Sequence, residues 1–182
     1  RAGRVLRYTA GGGVPADNPD PADPEWCRGL RNPFAFTFHR ATGGLFIAEN
    51  GPTANDELEF GQPGKNFEWG GAPPDLPEFR RGFTITAWTP VIVPTGLVFP
   101  RGERLGPGAT DDLFLCSYDL AEVLRLRLSG ALLTDLDEER PFVAFADPEQ
   151  IANKPLDIAE APDGALVVST FSALWRIDRW AP

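Results

Sequence analysis

An all-β fold built from short antiparallel sheets is what this 182-residue chain predicts, and three observations carry the expectation. Glycine and proline number 19 each and methionine is absent, a composition of turns and brief strands rather than of helices. Apolar residues alternate with polar ones over short windows, as in Phe34-Ala35-Phe36-Thr37-Phe38, and no long segment repeats at the helical period of about 3.6. Tight-turn signals, Gly43-Gly44 and Ala161-Pro162-Asp163-Gly164, stand between such runs.

Residues 1–10 alternate around Val5, Leu6 and Tyr8 and break at Gly11-Gly12-Gly13, which reads as the outer strand of a unit whose earlier strands lie upstream. The acidic, proline-rich run that follows spaces Asp17, Asp20 and Asp23 suggestively, but it lacks the Gly and Glu of an EF-hand loop and is expected to be a solvated connector. Pro33 biases Asn32 toward extended backbone. Beyond it, Phe34, Phe36 and Phe38 are expected to form a packed apolar face, with the lone His39 in an exposed turn.

Leu45-Phe46-Ile47 returns as a strand and delivers Glu49-Asn50-Gly51-Pro52. Gly and Pro allow close approach to this loop's backbone, whose carbonyls suit hard cations. An exposed loop over 71–81 precedes a strongly β-like stretch, where Trp88 is expected to pack in the core or at a rim and Pro94 to start an edge or innermost strand. Two strands around a turn follow within 111–128, and a last antiparallel unit surrounds Pro162-Asp163-Gly164.

The formal charge of −9 disfavours a nucleic-acid or anionic-membrane surface, and no apolar run approaches the length of a membrane span. Cys27 and Cys116 lack metal-site spacing and are expected to be unpaired, with a bridge between them left open.

Four linked motifs then occur in order: Leu30-Arg31-Asn32-Pro33, Glu49-Asn50-Gly51-Pro52, Asp56-Glu57-Leu58 and Asn66-Phe67-Glu68-Trp69-Gly70. Together they resemble the soluble aldose (glucose/sorbosone) dehydrogenases that use pyrroloquinoline quinone (PQQ), whose pattern runs L-R-N-P, E-N-G-P-x-x-x-D-E-[LI]-N and G-x-N-Y-G-W. The resemblance implies a six-bladed β-propeller. Four-stranded blades take roughly 40–50 residues, so this chain would supply about three. The expected division is 1–13 as the outer strand of a preceding blade, then blades over 27–82, 83–130 and 131–182. A closed four-bladed ring is the structural rival.

What the family does is implied on the same terms: oxidation of an aldose at C1 with hydride transfer to PQQ, in the periplasm or outside the cell. Arg31, Asn32 and Asn50 would meet the quinone, the Gly51 and Pro52 carbonyls would hold the calcium beside it, and Glu57 with the Phe67 carbonyl would hold a structural calcium. Lys154 falls where relatives carry the first Arg of an Arg-x-Arg pair, and Leu156 replaces the second. Asp119 stands near a position where relatives place a cofactor-touching lysine. The catalytic histidine has no counterpart, so chemistry would need an amino-terminal propeller half or a second copy of the chain. The alternative is a non-catalytic propeller that binds carbohydrate or protein after losing the quinone site. A lactonase-like metal channel lacks recognisable ligand spacing.

Overall fold

The computed structural model describes residues 3–178; Arg1, Ala2 and residues 179–182, the outer ends of the first and last expected segments, lie outside the described residues. Strand β1 (Arg4–Leu6) pairs antiparallel with β2 (Glu25–Arg28). A four-stranded antiparallel sheet follows in chain order from β3 (Pro33–Phe38), β4 (Leu45–Glu49), β5 (Asp56–Phe60) and β6 (Phe83–Trp88). The next comprises β7 (Pro94–Val98), β8 (Asp112–Ser117), β9 (Glu122–Ser129) and β10 (Asp135–Ala144). The third has three strands, β11 (Pro155–Glu160), β12 (Leu166–Thr170) and β13 (Leu174–Ile177).

The first strand of each sheet lies beside the first strand of the next, β3 against β7 and β7 against β11. At the start of these strands the Thr95 hydroxyl donates to the Pro155 carbonyl at 2.9 Å, and a Cβ on Gly96 would crowd Asp157. Phe99, just past β7, packs edge-on against His39, just past β3. The three inner strands therefore run side by side with their starts at one end, which is the radial arrangement of propeller blades and not the stacking of a sandwich.

Neighbouring sheets share cores. Phe46, Leu58 and Trp88 of the first sheet pack with Leu97, Leu113 and Leu126 of the second. Phe114, Cys116 and Val123 on the other face of the second sheet pack with Ile158, Leu166 and Val168 of the third. Cys27 and Leu30 pack with Leu45 and Ile47. Strands β4 and β8 are thus buried on both faces, which is why they read as unbroken apolar runs and not as alternations. Trp88 lies in the core, with its indole N–H donating to Glu139 at 2.9 Å. Both cysteines are free and buried, and burial pushes the Cys27 thiol up to about 12 and the Cys116 thiol higher.

Several local expectations need correction. Segment ends placed after residues 82 and 130 fall just ahead of β6 and β10, yet β6 pairs with β5 and β10 with β9. Lengthening a connector costs little closure entropy, so β6 returns to its own sheet across residues 61–82. Phe34, Phe36 and Phe38 point outward, 55%, 64% and 58% exposed. The small Ala35 faces the core instead, where it lets β7 approach. His39 is buried, not exposed: its ring packs on Phe99 at 4.9 Å, with Nδ1 3.1 Å from the Thr42 hydroxyl and Nε2 3.2 Å from Asp111.

Candidate functional site

The Arg-Asn turn enters β3 and the Asn-Gly-Pro loop leaves β4, so antiparallel pairing places both at the starting end of the inner strands. Arg31 joins them. Its guanidinium donates to the carbonyls of Asn50 at 2.7 Å and Gly51 at 3.0 Å, and its backbone N–H donates to Glu49 at 2.6 Å. The guanidinium also stacks 5.5 Å from the Trp69 ring. The Asn50 N–H donates to the Asn32 carbonyl at 3.1 Å, while the buried Asn50 side-chain oxygen faces no donor.

Asp56, fully buried, pins this loop to the next inner strand. One carboxylate oxygen accepts from the Gly51 N–H at 2.7 Å; the other accepts from the Ile92 and Val93 N–H groups at 2.8 and 2.6 Å. Val93 sits at a φ of 51°, a left-handed conformation costly for a β-branched residue, and Asp56 helps hold it there. Gly51 is demanded by close approach, since a Cβ there would lie 2.0 Å from the Ala54 carbonyl oxygen.

Beside the loop a cavity of about 300 Å³ is lined by Glu49, Gly51, Pro52, Glu57, Phe67 and Trp69, among others. All four residues expected from the sequence to hold metal line this one space. Phe67 arrives there because its N–H donates to the Arg28 carbonyl on β2.

Cross-strand pairing sets Glu49 opposite Glu57, and the pleat puts Glu59 on the same face. Ligand oxygens of Glu49, Glu57 and Glu59 lie within 4.8 Å of one another. Burial pushes the Glu49 carboxyl up to about 7 and Glu59 up to about 8, the Glu57 charge adding to each. Burial also raises Glu57, with the Asp56 charge adding to it. One oxygen each of Glu49 and Glu59 faces no hydrogen-bond donor. Orphaned carboxylate oxygens at this spacing fit a calcium ion, which takes hard oxygen ligands at about 2.3–2.6 Å. Glu49 and Asp56 stand within the sequence motifs but were given no ligand or anchoring role there, and Glu59 was not named. The signal available was Glu at i and i+2 on one strand, across a short loop from a third Glu.

Lys154 precedes β11 at the same end but does not join the Arg31 group by a hydrogen bond. Its ammonium donates to the Asp119 carbonyl at 3.1 Å and lies 5.1 Å from the Tyr118 ring. The turn that lacks a lysine of its own therefore receives a cation from the neighbouring sheet. Asp17, Asp20 and Asp23 act as connector residues: Asp17 pairs with Arg7, and Asp20 and Asp23 accept from the backbone N–H groups of Ala22 and Glu25.

Known proteins resemble this chain in sequence or in fold. An uncharacterised protein, slr1608, from a Synechocystis strain is 28% identical over 92% of this chain and 42% of its own length. A crystal structure of glucose dehydrogenase superposes with a TM-score of 0.78 at 25% identity, covering 99% of this chain and 55% of that one. The PQQ-bound form of aldose sugar dehydrogenase from Streptomyces coelicolor superposes with a TM-score of 0.72 at 22% identity, covering 92% and 46%. The chain spans about half the length of these relatives. The family model for Glucose / Sorbosone dehydrogenase matches residues 1–174, and the chain belongs to that family.

Proposed function

We propose that the chain is the carboxyl-terminal half of a PQQ- and calcium-dependent sugar dehydrogenase that oxidises an aldose at C1, acting in the periplasm or outside the cell. The observation that carries this reading is the union of the Arg-Asn turn and the Asn-Gly-Pro loop through Arg31 at the starting end of the inner strands. The Streptomyces relative whose structure is of a PQQ-bound form has the same fold. When bound, PQQ would supply the two-electron acceptor that no amino-acid side chain provides.

The chain's own residues bind and orient. The Arg31 guanidinium can stabilise negative charge on cofactor oxygens while holding the loop carbonyls. Asn32 and Asn50 offer amide groups beside it, and Lys154 brings a second cation to the same end of the ring. The Gly51 and Pro52 carbonyls are offered to the calcium beside the quinone, and the Glu57 carboxylate with the Phe67 carbonyl to a structural calcium, all four residues lining the one cavity. The proton-abstracting base would come from outside this chain, since His39 is sealed between Phe99, Thr42 and Asp111. The complementary propeller half, or a second copy, would also cover the outward phenylalanines of β3.

A non-catalytic propeller is the second reading, favoured by Leu156 and by the engagement of Arg31 with loop carbonyls. Reconstitution of the complete polypeptide with PQQ and calcium separates the two. The expected result is a shifted cofactor absorption spectrum and sugar-dependent dye reduction, with Arg31→Ala weakening cofactor binding tenfold or more. An unshifted spectrum at saturating PQQ would leave the non-catalytic reading in its place.

A further inference from the structure

The sequence motifs assign a cation only to Glu57 with the Phe67 carbonyl and to the Gly51-Pro52 backbone. The structure adds two carboxylates to the first of these. Glu49 and Glu59 are 3% and 1% exposed, and in each one oxygen is already held: Glu49 by the Arg31 N–H at 2.6 Å, Glu59 by the Thr84 hydroxyl at 3.1 Å. The remaining oxygen of each is buried and faces no donor. These anchored side chains converge with Glu57, the ligand atoms of all three lying within 4.8 Å of one another.

Among the described residues no guanidinium forms an ion pair with the group, although the Arg31 charge eases the burial of Glu49. The side chain of Arg31 is directed to the Asn50 and Gly51 carbonyls, and Arg81 pairs with Glu68. An all-oxygen set rules against soft metals, and its spread matches calcium better than the tighter octahedron of magnesium. Glu59 stands where the motif pattern given above carries Asn.

We propose that Glu49 and Glu59 are ligands, together with Glu57, of a single calcium ion held by three carboxylates at the foot of the Glu49–Trp69 cavity. This rests on the calcium part of the function proposed above and not on the quinone. The third carboxylate makes the site one of high charge density, which takes a trivalent lanthanide more strongly still.

Terbium titration of the complete polypeptide without PQQ is the test, because Trp69 lines the same cavity and can sensitise bound terbium. Sensitised emission that calcium displaces is expected, and Trp69→Phe should dim it. Glu59→Gln and Glu49→Gln should each weaken calcium binding at least tenfold and shrink the calcium-induced rise in melting temperature, leaving the ion-free melting temperature unchanged or higher. Wild-type affinity in both variants with loss in Glu57→Gln would overturn the three-carboxylate site and leave the simpler calcium reading intact. Absence of displaceable emission from every version would overturn both.

Discussion

Asp56 shows how one side chain can fix a loop. It accepts three backbone N–H groups from two separate segments, each such bond to a charged acceptor being worth about 1.5–3 kcal/mol. Asp56→Ala should lower unfolding free energy by roughly 3 kcal/mol or more, measured by urea denaturation, and should release the Asn50-Gly51 backbone to exchange with solvent. A second buried residue behaves alike: Arg125, 3% exposed, donates to Asp112 at 2.5 Å and to the carbonyls of Leu105 and Pro107. Asp112→Ala would strand that guanidinium, at a cost of about 3–5 kcal/mol. The motif order made Asp56 visible as part of Asp-Glu-Leu, but its partners Ile92 and Val93 come from a segment far along the chain. His39 was misjudged for the same reason, since a Gly-Gly turn advertises exposure while Phe99 and Asp111, which bury and bond it, lie some distance away in sequence.

At the scale of the element, β5 carries the most chemistry. Asp56 and Leu58 face one way and Glu57 and Glu59 the other, so a single strand ties the loop on one face and offers carboxylates on the other. In the ion-free chain these carboxyls titrate above the ordinary 4.5, with Glu49 near 7 and Glu59 near 8. The folded form then keeps protons that the unfolded form has released, so stability should fall as pH rises from about 4.5 through about 8. Denaturation midpoints taken at about pH 5 and about pH 9 should differ without calcium and draw together with it; equal midpoints in both conditions would rule the account out. Strand existence was legible from alternation and turns, whereas sheet membership was not. The long connector before β6 and the Ser129-Gly130 turn before β10 look like boundaries, and only pairing with β5 and β9 reveals otherwise.

Over the whole molecule, apolar surface is covered where sheets meet and open where they end. Phe34, Phe36 and Phe38 form an outward stripe on β3, and a groove of about 820 Å³ opens between it and the Val5, Tyr8 and Trp26 side chains of the first ribbon. Such a stripe favours association, so the 182-residue chain alone should show a native mass above that of the monomer, and Phe36→Ser with Phe38→Ser should lower it. A stable monomer at high concentration would count against the stripe as a contact face. The alternation of phenylalanines announced an apolar face, but not whether anything in the chain covers it. The division of the interior into clusters shared by adjacent sheets has a kinetic counterpart. Both faces of β8 are covered, whereas β13 belongs to the last sheet and presents Leu174 and Trp175 outward. Amide protons should then leave in sequence under native conditions, first from β13 and last from β8, as though the arc were peeled inward from its rims.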